Sequence, residues 1–216
     1  MSSSRLPGKV ALSLCGKPLL HRVVQQARRS RLLQDVIVAT SDQPDDDVVE
    51  DLCERIGVAC SRGSLNDAQS RFVTIAEPYP ERIYVRLTGD NPLTEPSFID
   101  QIVRHLRESP RVDYAAPRFD RIPHGSNSEA FRGRALLESR QRYDDADNKE
   151  HVTPALRQHF RAAALEPDDA FVCPKLSVTV DTLEDFRRVH GLIKRFGEDD
   201  TLRKAIEDWA ALESSR

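Results

Sequence analysis

The chain has no apolar run approaching the length of a membrane span, and its N-terminus lacks the hydrophobic core of a signal peptide. Insertion into a bilayer is therefore not expected. No Cys-x-x-Cys pair occurs among Cys15, Cys53, Cys60 and Cys173, which argues against a zinc site and against a disulfide framework. Scattered thiols, reduced and mostly buried, suit a cytoplasmic protein. Nor is there a broad basic surface: 32 Lys and Arg face 35 Asp and Glu, both signs are interspersed, and the net charge is −3. Nucleic-acid binding by counterion release is thereby disfavoured, whereas a small anion in a local basic pocket is not. Internal repeats and low-complexity segments are absent too. What remains, in 216 residues of which 39% are apolar, is enough to build one α/β domain around one core.

The apolar residues alternate between two spacings. After Pro18, suited to a first helical position, Leu19, Leu20, Val23, Val24 and Ala27 recur at helical intervals. Val36–Ala39 reads as a short buried strand; an acidic helix start at 45–47 then leads Val48, Val49, Leu52 and Ile56 to a stop at Gly57. A strand at Val58–Cys60, a helix at Asp67–Ala76, a strand at Ile83–Leu87 and a helix at Ser97–Leu106 continue the series. Between about Asp113 and Phe171 the rhythm is less regular, punctuated by Pro117, Pro123, Pro154 and Pro167, and we expect an insertion forming a lid or dimer arm. A strand at Leu176–Val180, a helix from Leu183 to Phe196 and a last helix carrying Trp209 complete the plan. The alternation predicts a mostly parallel sheet with helices on both faces, a Rossmann-like three-layer α/β fold in one domain spanning residues 1–216.

Two features point to chemistry. At the start, the small residues Ser2, Ser3 and Ser4 let backbone N–H groups approach an anion, while Arg5 and Lys9 bring cations to either side of a Pro7-Gly8 turn. A triphosphate suits such a loop, although on spacing alone a floppy basic terminus is the better account. A phosphate loop normally follows a first strand, so a strand upstream of Ser2 is expected, with the chain as given beginning at an internal or truncated position. Farther on, Asp90 and Asp181 each lie just past a predicted strand, where α/β sites gather, and two converging carboxylates suit Mg²⁺. Gly89 would allow a tight backbone turn beside them. Taken singly, either aspartate reads better as a helix cap; the pair together with the N-terminal loop does not.

Ser3-Ser4-Arg5-Leu6-Pro7-Gly8-Lys9, Gly16-Lys17-Pro18-Leu19, Val38-Ala39-Thr40-Ser41 with Asp46, Arg62-Gly63-Ser64, Arg86-Leu87-Thr88-Gly89-Asp90-Asn91-Pro92-Leu93, Glu150-His151-Val152-Thr153-Pro154 and Val180-Asp181-Thr182-Leu183-Glu184-Asp185 occur in that order. Together they resemble the cytidylyltransferases that make CMP-activated acidic sugars, especially the branch of the spore-coat polysaccharide biosynthesis protein F type. The likeness runs from Ser2 to about Lys194.

The resemblance implies a nucleotidyltransferase fold whose first strand precedes Ser2. It also implies Mg²⁺-dependent transfer of CMP from CTP to an acidic or modified sugar, with release of pyrophosphate. Arg5 and Lys9 would hold the triphosphate, and Asp90 and Asp181 the magnesium. Ser3, Ser4, Lys17, Ser41, Arg62, Gly63, Ser64, Arg71 and Gly89 would line the nucleotide; Arg86, Glu129, Glu150 and His151 would meet the sugar. Blander readings stand beside these: a solvated Lys17, a turn with Asp67 as a first-turn acid, Arg71 and Arg86 paired with local acids, and a structural His151 rather than a base. Asn91 stands where the branch commonly has cysteine, and Asn127 where it has an acid, which leaves the acceptor open. A homodimer through residues 113–171 is a further family expectation. The competing functions are a glycosyltransferase using an activated nucleotide sugar and a non-catalytic nucleotide-binding or scaffold protein.

Overall fold

In the computed structural model, residues 5–214 are described. After a single 3₁₀ turn at Lys9–Ala11 comes a hairpin with a two-residue loop: β1 (Ser13–Leu14) and β2 (Lys17–Pro18) pair antiparallel around Cys15 and Gly16, both at positive φ, as a tight turn of this hand requires. Helix α1 (Leu19–Arg29) follows directly and buries Leu19, Leu20, Val23, Val24 and Ala27, the predicted stripe. Then come β3 (Ile37–Ser41), α2 (Asp47–Arg55), β4 (Ala59–Gly63), α3 (Ala68–Ala76), β5 (Ile83–Arg86) and α4 (Pro96–Glu108). The alternation expected from the spacing is realised, and β3 and β4 pair in parallel.

The stretch expected to be irregular contributes β6 (Tyr114–Pro117), β7 (Glu129–Arg132), α5 (Gly133–Arg142), α6 (Ala146–His151), α7 (Pro154–His159) and β8 (Ala162–Leu165). Its prolines bound short elements rather than dissolve them: Pro117 ends β6 and Pro154 opens α7. Three of its strands join β5 in a four-stranded sheet of order β5-β7-β6-β8, in which β7 runs antiparallel to β5 and β6 while β6 and β8 are parallel. The pleat sorts this sheet's side chains between two cores. Tyr114, Ala116 and Phe131 meet Ala76, Leu136 and Leu156 on one face; Ala115 and Ala130 meet Ile99, Ile102 and Leu106 on the other. Among the described residues β3 and β5 each carry a ladder on one edge only, and the strand expected before Ser2 lies outside those residues.

One predicted strand differs. Leu176–Val180 is extended, and its alternation places Leu176, Val178 and Val180 in the core, yet among the described residues it forms only a single parallel bridge, Ser177 with His124. Its backbone is held instead by separate bonds, Val178 N–H to His124 O (2.7 Å) and Val180 N–H to Asp90 O (2.9 Å). Helices α8 (Leu183–Phe196) and α9 (Thr201–Ser214) close the chain, with Val189, Ile193, Leu202 and Ile206 in the same core cluster as Leu14 and Val180, and Trp209 half-buried against it.

Gly125 is where the extended segment presses closest. Its φ is +93°, and a Cβ there would lie 2.8 Å from Thr179 Cα and closer still to Thr179 N. Both the backbone hand and the space require glycine. Gly125→Ala is expected to destabilise by about 3 kcal/mol or more, read as a lowered urea midpoint. A change under about 1 kcal/mol would mean that the segment yields freely.

Candidate active site

Val180 brings Asp181 to Asp90. The Val180 N–H bond to Asp90 O ties the two chain segments together, so both carboxylates face the same ammonium. Lys9 Nζ lies 2.8 Å from Asp90 Oδ2 and 2.9 Å from Asp181 Oδ1, with only 12% of its side chain exposed. Arg5 reaches Asp181 Oδ1 at 3.1 Å from an exposed position (64%). Gly8, at φ 69°, turns the chain in the left-handed region immediately before the single 3₁₀ turn that carries Lys9. Burial alone would raise the Asp90 carboxyl, but the bond and charge of Lys9 outweigh it and hold the group below the usual range. Gly89 makes no left-handed turn, and a Cβ there would meet Val10 and Leu20 at ordinary distances, so tight turning is not what this position supplies.

The capping alternatives go elsewhere. Thr182 caps α8 and Asp185 returns the bond as a capping box, while Glu95 caps α4. Asp90 and Asp181 are thereby left to the cations. Burial would raise Asp185, but bonds from Thr182 and Arg188 outweigh it and hold the carboxyl at about 2. A folded-state value below the ordinary one stabilises the fold above about pH 4 and loses that contribution as pH falls toward 2. Asp185→Ala is expected to cost about 1 kcal/mol at pH 7 and to converge on the wild type near pH 2, in melting curves at both pH values. An equal gap at both would disconnect the cap from the charge.

At the C-terminal ends of β3 and β4, Ser41 pairs in register with Gly63. Asp46, buried, accepts from Thr40 Oγ1 (2.7 Å), Ser41 Oγ (2.6 Å) and Ser41 N (2.9 Å). Burial alone would raise its carboxyl; hydrogen bonds, those from Ser41 and Thr40 among them, outweigh it and hold the group far below the usual range. Arg62 fixes this corner, donating to Ser41 O, Gln43 O and Glu50 and pairing with Asp47 at 2.7 Å. Arg71 donates to Ser64 O at 3.0 Å and packs on Gly63, where a Cβ would meet Arg71 Cγ at 3.0 Å; its buried Nε has no hydrogen-bond partner among the described residues. Ser41, Arg62, Gly63, Ser64 and Arg71 thus form one corner. Asp67 is the cap of α3 and pairs with Arg140. Lys17 is not brought to either group: its ammonium binds Glu198 at 2.8 Å and Gln25, and with Gln25 holds the Glu198 carboxyl at about 2. Ser3 and Ser4 lie outside the described residues.

A cavity of about 260 Å³ opens between Arg86, Phe119, His124, Asn127, Glu129, His151 and Arg157. Glu129, with a side chain 3% exposed, accepts from Arg86 (2.6 Å), Tyr114 Oη (2.6 Å) and Thr153 Oγ1 (2.8 Å), and Arg157 Nε stands 3.8 Å away. Its lone pairs serve the protein first, and it orients two arginines toward the cavity. Burial and then the Glu129 charge push the Tyr114 phenol far above its ordinary value, so it remains a donor. His151 reaches the rim, 3.7 Å from Asp147, whereas Glu150 is exposed and does not line the cavity. The rim itself is strained: Val152, β-branched and buried, sits at φ 70°, ψ −46°, with Thr153 N–H donating back to His151 O at 2.8 Å as a γ-turn. Asn91 Nδ2 approaches Asn127 Oδ1 at 3.5 Å, which joins the Asp90 loop to this cavity.

Arg157, Tyr114 and Gln69 escape sequence reading. Gln69 is fully buried and donates to Val152 O at 3.3 Å. Arg157 lies three residues beyond Pro154, one helical turn from the recognised motif, and that spacing is the one local signal for it.

As a metal site, two carboxylates gathered on one cation position suit an ion that takes a few hard oxygens from protein and the rest from water and phosphate, which is the habit of magnesium. No group of three or more His, Cys, Asp or Glu that suits a metal occurs among the described residues, and all four cysteines are free. No helix among the described residues is long and apolar enough to cross a membrane.

Comparison with known proteins extends the geometry. The spore coat polysaccharide biosynthesis protein SpsF of Bacillus subtilis is 32% identical over 207 residues, covering 92% of this chain and 85% of that protein. The 3-deoxy-manno-octulosonate cytidylyltransferase of Geobacter sulfurreducens is 33% identical over 113 residues, 51% of this chain and 44% of its own. The structure of a cytidylyltransferase from Leptospira borgpetersenii serovar Hardjo-bovis superposes with a TM-score of 0.86 at 27% identity, covering all of this chain and 92% of that one. The cytidylyltransferase family model matches residues 1–206. With the ordered motifs and the family match over residues 1–206, this chain belongs to the cytidylyltransferase family and is a nucleotidyltransferase.

Proposed function

We propose that the protein transfers CMP from CTP to a hydroxyl of an acidic or modified sugar, releasing pyrophosphate, in the assembly of a surface polysaccharide or glycan. The observation that supports this most directly is the Lys9, Asp90 and Asp181 cluster, joined through Asn91 and Asn127 to a cavity large enough for a sugar. The polysaccharide role draws on the likeness to the spore coat polysaccharide biosynthesis protein of Bacillus subtilis.

In this reading Arg5 and Lys9 hold the triphosphate in line, and the corner of Ser41, Arg62, Gly63, Ser64 and Arg71 receives the rest of the nucleotide. Asp90 and Asp181 hold Mg²⁺, which when bound neutralises charge on the phosphates. The acceptor oxygen forms its bond to the α-phosphorus as the bond to the β-phosphate oxygen breaks; the acceptor's proton passes to water or to His151 at the rim. Arg86, positioned by Glu129, and Arg157 face the acceptor. The enzyme works in the cytoplasm as a homodimer.

Titration calorimetry of CTP in Mg²⁺, with UTP and ATP as controls, tests the nucleotide. A pyrophosphate-release screen over acidic and neutral sugars tests the reaction. CTP-selective binding with pyrophosphate release is the expected result. Binding of a preformed nucleotide sugar without pyrophosphate release would favour a glycosyltransferase, and no nucleotide binding by folded protein would leave a scaffold.

A further inference from the structure

We infer that Lys9 and the divalent cation exclude each other at the Asp90–Asp181 pair, so that the metal enters with the nucleotide's phosphates and not ahead of them. The inference rests on the proposal that these two carboxylates are the metal site.

Three observations carry it. The first is position: one ammonium lies within 3 Å of an oxygen from each carboxylate, the place that a cation held by both would take. The Lys9 side chain is 12% exposed, so this is a packed location and not one pose of a mobile surface lysine. The second is charge. Asp90 and Asp181 are matched by Lys9 and Arg5, leaving no surplus negative charge to draw a strongly hydrated divalent ion out of water. A cation bound at those oxygens would face the Lys9 ammonium at close range, and like charges there repel. The third is the route out. Lys9 stands on a single 3₁₀ turn behind the left-handed Gly8, and its four-carbon stem can swing the head group while the backbone stays in place. Arg5, on the outer side of Asp181 and 64% exposed, offers approaching phosphates their first cationic contact.

The sequence of events follows. Phosphate oxygens give Lys9 an alternative partner, the carboxylates lose their ammonium, and the site becomes anionic as the metal arrives on the same phosphates. Linkage makes the effect reciprocal: phosphates raise metal affinity by the factor by which metal raises phosphate affinity. Lys9 would therefore serve twice, as a stopper for the empty site and as a phosphate ligand in the filled one.

The test reads metal binding directly, through the electron paramagnetic resonance signal of free Mn²⁺ titrated with the full chain in the absence of nucleotide. Wild type is expected to bind weakly. Lys9→Met and Lys9→Gln are expected to bind at least about tenfold tighter, and Lys9→Arg no tighter than wild type. Adding Asp90→Asn to Lys9→Met should remove the gain. With α,β-methylene-CTP present, wild-type affinity should rise by a larger factor than that of Lys9→Met. Circular dichroism confirms folding, and Lys9→Gln, which keeps a hydrogen-bond donor, guards against a packing fault in the Met variant. If the neutral variants bind Mn²⁺ no better than wild type while Asp90→Asn abolishes binding, the exclusion is overturned and the metal site stands. Should Asp90→Asn and Asp181→Asn leave Mn²⁺ binding unchanged even with the nucleotide analogue, the metal assignment falls and takes the exclusion with it.

Discussion

Asp181→Asn is expected to slow pyrophosphate release by roughly a thousandfold with the acceptor that serves the wild type, while the protein stays folded. The substitution keeps size and removes one negative charge from the pair that Lys9 bridges. Folding should be spared because the α8 cap is made by Thr182 and Asp185, neither of which depends on the Asp181 side chain. The loss should fall mainly on the chemical step, with calorimetric affinity for Mg²⁺–CTP weakened far less, if the carboxylate acts chiefly on charge that grows as pyrophosphate departs. A loss below tenfold would remove Asp181 from the reacting centre. An equal loss in affinity and rate would instead make it a simple binding group.

Glu129→Ala should produce the largest loss of stability. It strips the partner from the Arg86 guanidinium and from the buried hydroxyls of Tyr114 and Thr153 in one step. Breaking a buried charge pair from one side costs about 3–5 kcal/mol, because the remaining charge keeps its desolvation cost without its attraction. For a chain of this length that corresponds to a melting point lower by about 10 °C. Removing both charges, as Arg86→Met with Glu129→Leu, should recover a substantial part of that loss. If the double variant is as unstable as Glu129→Ala alone, the cost lies in lost packing and not in a stranded guanidinium. A drop under about 2 °C for the single variant would mean that solvent reaches the network.

Which of these features could be read from the residues depends on how far apart their partners lie. Helix α1 was legible because its apolar spacing is local, and the structure differs only in placing Pro18 in the hairpin, at the cap rather than inside the helix. The alternation in Leu176–Val180 foretold burial correctly but not pairing: it reports which side chains face the core, while the backbone's partners, His124 and Asp90, are chosen by the topology. The same holds at the site. Lys9, Asp90 and Asp181 were marked by motif and by their places beside turns, and the fold brings them together. Lys17 sits in an equally suggestive motif, yet its charge is taken by Glu198, which only the finished fold places within reach. Tyr114 and Gln69 carry no local mark at all, because a buried polar group is defined by what surrounds it.

Val152 shows what such surroundings can impose. A β-branched residue at φ 70° holds a conformation that its own peptide would abandon, at a cost of about 1–3 kcal/mol, and what opposes that return is the apolar cluster of Phe131, Leu136 and Leu156 around its side chain. The rim that carries His151 therefore has no stiffness of its own. Its shape is a readout of how tightly the domain behind it is packed, so that a methyl group lost from Leu156 would be felt first as a change in the shape of the cavity, and only later as unfolding.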